Sequence, residues 1–343
     1  MGRPATQRII TNGFRCFCAV AISLCLSASV AGAGPRWPQA PGKLVDLGRH
    51  KLHVNCTGKG NPVVVVENGL GDFSFDWILV QTKVASFTRV CTYDRAGYAW
   101  SDPGPKPRTF AQINLELRDA LAKLGEKGPY VLVGHSYGGP VVRNFALTYS
   151  QDVAGMVQVD AAFEGMRVGI GGNKTMRLGE DATGKSIPAP REEMKAADKP
   201  AAPPGAAPDQ GLDPMYKVLP EAEQQMQLWA QALPVIDDAE SSQREWSGED
   251  FRKWLATSQA GSLGKIPLIV LTRAAGGYGN DQDVPAAQLE KERTDGQAML
   301  VKLSSNGRQM IVKSGHNMEL EAPEDVTAAI RRVVEAVRKK SKL

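Results

Sequence analysis

Short apolar runs alternate along this chain with segments whose apolar residues recur at helical spacing. The run of four valines at Val63–Val66 is typical of a strand that is buried on both faces. In all, the pattern predicts eight strands: two within Lys43–Asn55 around Gly48, then Val63–Val66, Val90–Tyr93, Tyr130–Val133, Val157–Val159, Leu268–Leu271 and Met310–Val312. Apolar residues on one face predict helices over Thr109–Leu124 and after Pro323. This alternation indicates an α/β fold, in which a mainly parallel sheet is covered by helices on both faces.

One long segment interrupts the alternation. Residues 161–265 contain no clear strand, and the part near 186–214 is rich in proline, alanine and charge, which is typical of a disordered loop. A helix is predicted after it, over Pro220–Leu233. We interpret residues 161–265 as an insertion into a core that is formed by 34–160 and 266–343.

The first 33 residues have the pattern of a secretory signal peptide. Three arginines, Arg3, Arg8 and Arg15, precede an apolar run, Cys16–Val30, which the small residues Ala31-Gly32-Ala33 follow. We therefore expect cleavage and a secreted or periplasmic protein; the alternative is an uncleaved membrane anchor. No later run is long and apolar enough to cross a bilayer, so no stable membrane span is expected after the leader is removed.

Charge and residue counts narrow the function classes. The net charge of +4 falls to +1 when the leader takes three arginines and no acid with it, which argues against a nucleic-acid partner. The chain has only four histidines and five cysteines, which leaves little room for a multi-metal site. Three cysteines lie in the leader. The remaining pair, Cys56 and Cys91, can form a disulfide in an oxidising compartment or stay as two buried thiols.

The segment Gly134-His135-Ser136-Tyr137-Gly138-Gly139 lies between a predicted buried strand and a predicted helix. In this context the G-x-S-x-G pattern forms a nucleophile elbow, a sharp strand-to-helix turn that exposes the central serine. The glycines are needed because neighbouring backbone comes too close for side chains. We therefore predict that Ser136 is a nucleophile; the alternative is a glycine turn with an idle serine.

A serine nucleophile needs a general base and donors for the developing oxyanion. In strand–turn–helix hydrolases the triad follows the chain order serine, acid, histidine. Of the four histidines in the sequence, only His316 follows Ser136, and His135 is the immediate neighbour of the serine. We therefore predict that His316 is the base. The candidate oxyanion donors are the backbone N–H groups of Tyr137, next to the nucleophile, and of Leu70, in the glycine-rich loop after Val63–Val66. The alternative for Leu70 is an ordinary glycine turn.

Several longer motifs resemble the α/β-hydrolase superfamily: ENGLGDFSFDW (67–77), YDRAGYAWSDPGP (93–105), PYVLVGHSYGGPVVRNFAL (129–147), VAGMVQVDAAFEG (153–165), IPLIVLTR (266–273) and SGHNMELEAPEDVTAAI (314–330). The resemblance covers most of the chain outside the leader and the insertion. It implies eight strands in the order 1-2-4-3-5-6-7-8, with the insertion as a helical cap domain. The strands that carry Cys56 and Cys91 are then neighbours, which favours the disulfide.

The resemblance carries further expectations for individual residues. Ala99 stands where family members often have glycine, which we expect to be a small change on a surface turn. The run Tyr93-Asp94-Arg95 is commonly structural in this fold, and we assign it no chemistry. Four cap side chains are candidates to line the substrate pocket, or else only attach the cap to the core: Met226, Trp229, Trp246 and Trp254.

The carboxylate partner of the histidine follows either the sixth or the seventh strand in this fold. Asp160 comes directly at the end of the sixth strand, where a side chain is held firmly. Asp283 and Asp281 lie in the glycine-rich loop Arg273–Val284 after the seventh strand. We favour Asp160 as the acid, with Asp283 and then Asp281 as alternatives.

These residues predict an exported serine hydrolase, most simply a carboxylesterase that acts through an acyl-enzyme on a small or medium ester. No metal ion or organic cofactor is implied. Hydrolysis of amides, lactones or carbon–carbon bonds by the same serine stays open, as does a catalytically silent, ligand-binding member. The serine argues against the dehalogenase and epoxide-hydrolase branches, which need an aspartate at the elbow.

Overall fold

Strands and helices alternate along most of the chain. The computed structural model describes residues 38–163, 166–171, 174–177, 211–243, 259–274 and 286–343, together with Gly2, and gives 168–171 and 174–177 as backbone only. The elements are β1 (Lys43–Asp46), β2 (Lys51–Thr57), β3 (Val64–Glu67), α1 (Ile78–Val84), β4 (Val90–Tyr93), α2 (Phe110–Leu124), β5 (Tyr130–His135), α3 (Gly138–Thr148), β6 (Val153–Val159), β7 (Arg167–Gly171), β8 (Lys174–Arg177), α4 (Glu221–Gln231), α5 (235–243), β9 (Leu268–Arg273), α6 (Ala286–Val301), β10 (Gly307–Val312), α7 (Met318–Glu321) and α8 (Pro323–Lys339). Short 3₁₀ helices lie at Ser74–Trp77, Ser150–Asp152 and Pro214–Val218.

Eight of these strands form one sheet in the order β1-β2-β4-β3-β5-β6-β9-β10. Strand β2 pairs antiparallel with β1 and β4, and the other neighbours are parallel. This confirms the predicted eight-stranded, mainly parallel sheet and its strand order. The register sets Glu67 opposite Gly134, His135 opposite Val159, and Val159 opposite Leu271. The carboxyl ends of β3, β5, β6 and β9 therefore meet at one edge of the sheet, where ligands bind in open α/β sheets.

Successive residues of the central strands feed two apolar layers, one on each face of the sheet. Val65 of β3 packs in the layer that contains Leu117 of α2 and Phe145 of α3. Val64, next to it, packs in the other layer with Ile330 of α8. Both faces of β3 are thus buried, which explains its unbroken run of valines.

Helix α2 begins and ends as its sequence predicts. The Thr109 hydroxyl oxygen accepts a hydrogen bond from the Gln112 amide at 3.0 Å, and Gly125 ends the helix with a φ of +77°. The Gln112 side chain donates to Glu116 at 2.8 Å rather than closing a capping box with Thr109. The cap therefore depends on the threonine alone.

A hairpin and a long helix are among the elements that the sequence pattern does not predict. The antiparallel hairpin of β7 and β8 lies within 161–265, where the pattern predicts no strand, because the glycines of Arg167–Gly171 leave too few apolar side chains to show an alternation. Helix α6 is also unpredicted, because its buried face mixes apolar with polar residues and glycine: Leu289, Arg293, Gly296, Gln297 and Leu300. A Cβ on Gly296 would overlap the ring of Phe163, so close packing explains that glycine.

The expectation that Ala99 lies on a surface turn is wrong. Ala99 is only 5% exposed, and its backbone has a φ of +41°, in the left-handed region. This conformation costs a residue with a Cβ more than it costs glycine. The need for that backbone conformation accounts for the glycine that the resemblance leads one to expect at this place.

Several predictions fall outside the described residues. They concern the leader 1–33 apart from Gly2, the part 186–210 of the predicted loop, and the side chains of Trp246 and Trp254. The limits of the insertion therefore stay predictions, although α4 confirms the helix expected over Pro220–Leu233. No helix in the described ranges is long and apolar enough to span a lipid bilayer.

Cys56 and Cys91 are joined by a disulfide. The two residues lie directly opposite each other in the antiparallel pair β2–β4. The pairing follows from the strand order, because β2 and β4 are neighbours although β3 separates them in the chain. The disulfide therefore ties the antiparallel edge of the sheet to its parallel centre.

Loss of this disulfide should destabilise the protein. The bridge closes a loop of 35 residues, for which chain entropy predicts a loss of about 3–4 kcal/mol in the free energy of unfolding when both cysteines are replaced by alanine. Urea unfolding of the Cys56→Ala/Cys91→Ala variant measures the loss, and reduced wild type should match it. Two titratable thiols in the unreduced native protein would contradict the bridge.

Candidate active site

The turn between β5 and α3 has the geometry of a nucleophile elbow. Ser136 follows β5 directly, is half-buried, and has a backbone φ of +48°. Non-glycine residues adopt this left-handed conformation rarely, and often at functional sites. A Cβ on Gly134 would lie 2.6 Å from the Gly138 carbonyl oxygen, and one on Gly138 would overlap the Glu67 carbonyl oxygen. These contacts require both glycines of the motif, and the turn presents Ser136 at the carboxyl edge of the sheet.

Asp160 lies directly after β6 and also has a left-handed φ, of +36°. Its side chain is buried, and its Oδ2 accepts a hydrogen bond from His316 Nδ1 at 2.7 Å. The structure thus brings the favoured acid and the predicted base into direct contact. The alternative acids, Asp281 and Asp283, lie outside the described residues, and the catalytic roles stay predictions.

His316 lies beside the elbow. Its ring packs against the ring of His135, with the centroids 4.8 Å apart. Because His135 directly precedes Ser136, this contact brings the loop of the predicted base to the elbow that carries the predicted nucleophile. The His316 side chain is 37% exposed, so the imidazole can be reached from outside the protein while Asp160 beneath it cannot.

Two arginines that the sequence did not single out bind Asp160. Arg273, the last residue of β9, lies with Nη1 at 2.7 Å from Asp160 Oδ2, and Arg293 of α6 lies 3.6 Å from Oδ1. Burial opposes ionisation of Asp160, but the hydrogen bond from His316 and the charges of His316, Arg273 and Arg293 lower its pKa below the usual value. The carboxylate is therefore held ionised.

The loop after β3 is held by Arg95, from the run to which the sequence assigned no chemistry. The Arg95 guanidinium is buried, pairs with Glu67 at 2.8 Å, and donates to the carbonyl oxygens of Asn68 at 2.7 Å and Gly69 at 2.5 Å. In a trans peptide the N–H points opposite to the C=O. The Leu70 amide therefore points away from Arg95, as a candidate oxyanion donor would. Arg95 was missed because its role depends on contacts that the chain order does not show.

His135 is the centre of a buried cluster of charged groups. Its Nδ1 lies 2.9 Å from Asp72 Oδ2, its Nε2 lies 3.0 Å from the His316 carbonyl oxygen, and Glu319 Oε2 lies 3.8 Å from Nε2. Burial works against protonation, but the charges of Glu319 and Asp72 and the two hydrogen bonds raise the pKa of His135 to about 10. Burial raises the pKa of Glu319 to about 7, against the opposing effect of His135.

The same cluster has the composition of a metal site. One ligand-type atom from each of Asp72, His135 and Glu319 lies within 4.8 Å of the others. Both nitrogens of His135 are, however, already at hydrogen-bond distance from oxygen atoms. We therefore treat the cluster as hydrogen-bonded rather than as a set of metal ligands.

Comparison with known proteins places this geometry in a family. The model of the alpha/beta hydrolase family matches residues 63–330, which hold the elbow, Asp160 and His316. The chain belongs to the alpha/beta hydrolase family. The match confirms the resemblance on which the predicted strand order rested.

The chain spans only part of the length of the curated relatives that it matches. It is 36% identical to the "Probable transporter efuK" of Hormonema carpetanum in an alignment of 129 residues that covers 35% of this chain and 18% of that protein. Solved structures of an enol-lactonase from Burkholderia xenovorans LB400 and a thermophilic esterase from Thermogutta terrifontis match 83% and 84% of the hydrolase, and 97% and 94% of those chains. Their TM-scores are 0.55 and 0.53, at 16% and 21% identity. The two structures support the fold.

The described candidate residues of the predicted cap, Met226 and Trp229, pack against the rest of the protein. Met226 and Trp229 are half-buried and contact the apolar cluster that Phe73 and Trp100 contribute to from the loops after β3 and β4. The rings of Trp229 and Trp100 lie 5.0 Å apart. These contacts attach α4 to the core, and the pocket-lining role of the two residues stays a prediction.

Asp160→Asn should destabilise the hydrolase. It leaves Arg273 and Arg293 without a carboxylate at this position, and loss of one partner of a buried pair costs about 3 kcal/mol. Because the folded protein lowers the pKa of Asp160, its contribution is present above the ordinary aspartate range and is lost as pH falls through the folded value. Urea unfolding of wild type and variant should therefore differ less at about pH 3 than at about pH 7. Equal differences would contradict this account.

The same substitution should reduce turnover by on the order of 10⁴-fold, because the His316 imidazolium loses its partner. Asp281→Asn and Asp283→Asn are matched controls and should lose little. Near-normal turnover of Asp160→Asn would show that the acid lies elsewhere.

Proposed function

We propose that this protein is an exported serine hydrolase, most simply a carboxylesterase that acts on a small or medium ester. The observation that carries the proposal is that the strained turn of Ser136 and the hydrogen-bonded pair of His316 and Asp160 lie at the same edge of the sheet, where His316 packs on the ring of His135. A nucleophile, a base and an acid that orients the base are the groups that acyl transfer needs.

The reaction follows from these positions. Ser136 Oγ attacks the ester carbonyl carbon while its proton passes to Nε2 of His316, and Asp160 stabilises the imidazolium through Nδ1. The backbone N–H groups of Leu70 and Tyr137 stabilise the oxyanion. The C–O bond breaks, the alcohol leaves with the proton from His316, and an acyl-serine remains. Water, activated by His316, then releases the carboxylic acid.

Other substrates fit the same catalytic groups. Hydrolysis of amides, lactones or carbon–carbon bonds would use the same serine, and the similar solved structures include an enol-lactonase as well as an esterase. We favour a simple ester because the departure of its alcohol requires only one proton, which His316 supplies. A catalytically silent, ligand-binding member would not need the ionised Asp160 beneath the imidazole.

Ser136→Ala should abolish nearly all ester turnover, by on the order of 10⁴-fold or more, without unfolding the protein. A panel of p-nitrophenyl esters of graded chain length measures turnover and reports the preferred acyl length. A fluorophosphonate probe should label wild type and not the variant. Turnover that survives in Ser136→Ala would mean that the serine is not the nucleophile, and absent labelling of wild type would favour a silent binding protein.

Export is supported by the arginine-led apolar leader and by the disulfide, which persists in oxidising compartments. The exported protein should begin near Gly32 or Gly34. N-terminal sequencing of protein from the periplasm or medium checks this. Recovery of the full-length chain in the membrane fraction would instead support an uncleaved anchor.

A further inference from the structure

His135, in the nucleophile elbow, contacts two other segments that carry the proposed chemistry. Its Nδ1 lies 2.9 Å from Asp72 Oδ2, and its Nε2 lies 3.0 Å from the backbone carbonyl oxygen of His316. The same Asp72 oxygen accepts the Gly69 N–H at 2.9 Å. A chain of three hydrogen bonds therefore runs from the loop after β3, through the elbow beside Ser136, to the loop that holds His316.

The partners of His135 determine its protonation. A backbone carbonyl oxygen can only accept, and the Asp72 oxygen already accepts an N–H, as an ionised carboxylate does. A neutral imidazole has one N–H and one lone pair, so one of its two contacts would set a lone pair against an oxygen atom. An imidazolium donates at both positions. The geometry is therefore satisfied by the doubly protonated ring.

We propose that His135 is a positioning residue held as an imidazolium, and that with Asp72 it clamps the loop of Leu70 and the loop of His316 to the nucleophile elbow. This His135–Asp72 clamp rests on the proposed function, in which Leu70, Ser136 and His316 act together. It touches no substrate atom. It fixes the backbone of the base and of the oxyanion loop relative to the serine.

The charges around His135 favour the clamp. The negative charges of Glu319, 3.8 Å from Nε2, and of Asp72 stabilise the imidazolium, while burial opposes it. Burial, together with the charges of Asp72 and Glu319, raises the pKa of the neighbouring Asp76 well above the usual value. Burial opposes ionisation of Asp72, but its hydrogen bond with His135 and the positive charges of His135 and Arg95 lower its pKa below the usual value. The described groups near the ring thus favour a carboxylate–imidazolium pair.

Nitrogen NMR of the four histidine rings tests the charge directly. At about pH 8 an ordinary imidazole is roughly 97% neutral, whereas His135 should show two protonated nitrogens. Replacing His50, His53 and His316 one at a time assigns their signals and leaves His135 intact. A neutral His135 would overturn the clamp whatever the result for Ser136→Ala, so the two proposals fail separately. Signals that move on addition of EDTA would also overturn it, because a metal ion would then hold the cluster.

Asp72→Asn tests the role of the charge. Asparagine keeps an acceptor oxygen for Gly69 but removes the charge that stabilises the imidazolium, so His135 should lose its second proton at lower pH. The ratio of wild-type to variant kcat should therefore grow from about twofold near pH 6 to about 10–100-fold near pH 9, with little change in KM, since small misplacements of catalytic groups cost up to about 10²-fold. The increase of this kcat ratio with pH should persist when both proteins also carry Glu319→Gln. A ratio that is independent of pH would overturn the clamp.

His53 offers a matched control for the loss of a buried histidine. Its Nδ1 lies 2.6 Å from Asp94 Oδ2 and its Nε2 donates to the Pro41 carbonyl, so its surroundings resemble those of His135 in other segments of the chain. His135→Gln should lower kcat about 10–100-fold, whereas His53→Gln should change it less than about threefold. Equal kcat losses at equal losses of stability would show that His135 serves folding alone.

Discussion

Parallel pairing of β3, β5, β6 and β9 is the constraint on which the candidate site depends. Each strand carries one segment of the candidate site at its carboxyl end, and the register leaves those ends level with one another. Ser136 and Asp160 follow neighbouring strands, and both have left-handed backbone conformations. Such strain persists only where the surrounding structure fixes it. The two buried apolar layers beneath the sheet supply that rigidity.

The edge so formed is unusually rich in buried charge. Asp160 is set between His316 and two arginines, Glu67 pairs with Arg95, and a carboxylate cluster surrounds His135. Burying each ion costs several kcal/mol of desolvation free energy, and the attraction to its partner offsets this cost only when the geometry of the pair is good. The benefit of this buried charge in the proposed reaction is preorganisation. Groups that are already paired need not reorient when charge develops in the transition state.

Much of the site could be predicted because its main residues follow local rules. Ser136 stands in a short motif, and Asp160 stands at the end of a strand whose apolar run is evident. The residues that support them escaped prediction because their roles arise from contacts between distant segments: Arg95, Arg273, Arg293 and Asp72. The alternation of strands and helices predicted a mainly parallel sheet, whereas the order of its strands was predictable only from the resemblance of the longer motifs to the family. Helix α6 was not, since its buried face mixes leucine with arginine, glutamine and glycine.

The position of Arg273 restricts how the predicted acid could move from one strand to another during evolution. Arg273 ends β9, the strand after which the triad acid stands in other arrangements of the fold, and its guanidinium lies 3.4 Å from His316 Nδ1 as well as on Asp160. A carboxylate in place of Arg273 would repel the carboxylate of Asp160. Loss of Asp160 alone would leave the Arg273 guanidinium facing His316 Nδ1, which carries a proton in the proposed mechanism. Either single substitution therefore places like charges or two positively polarised groups side by side, which is unfavourable. The predicted acid at the end of β6 is therefore coupled to Arg273 at the end of the neighbouring β9, and an evolutionary exchange would have to replace both residues together.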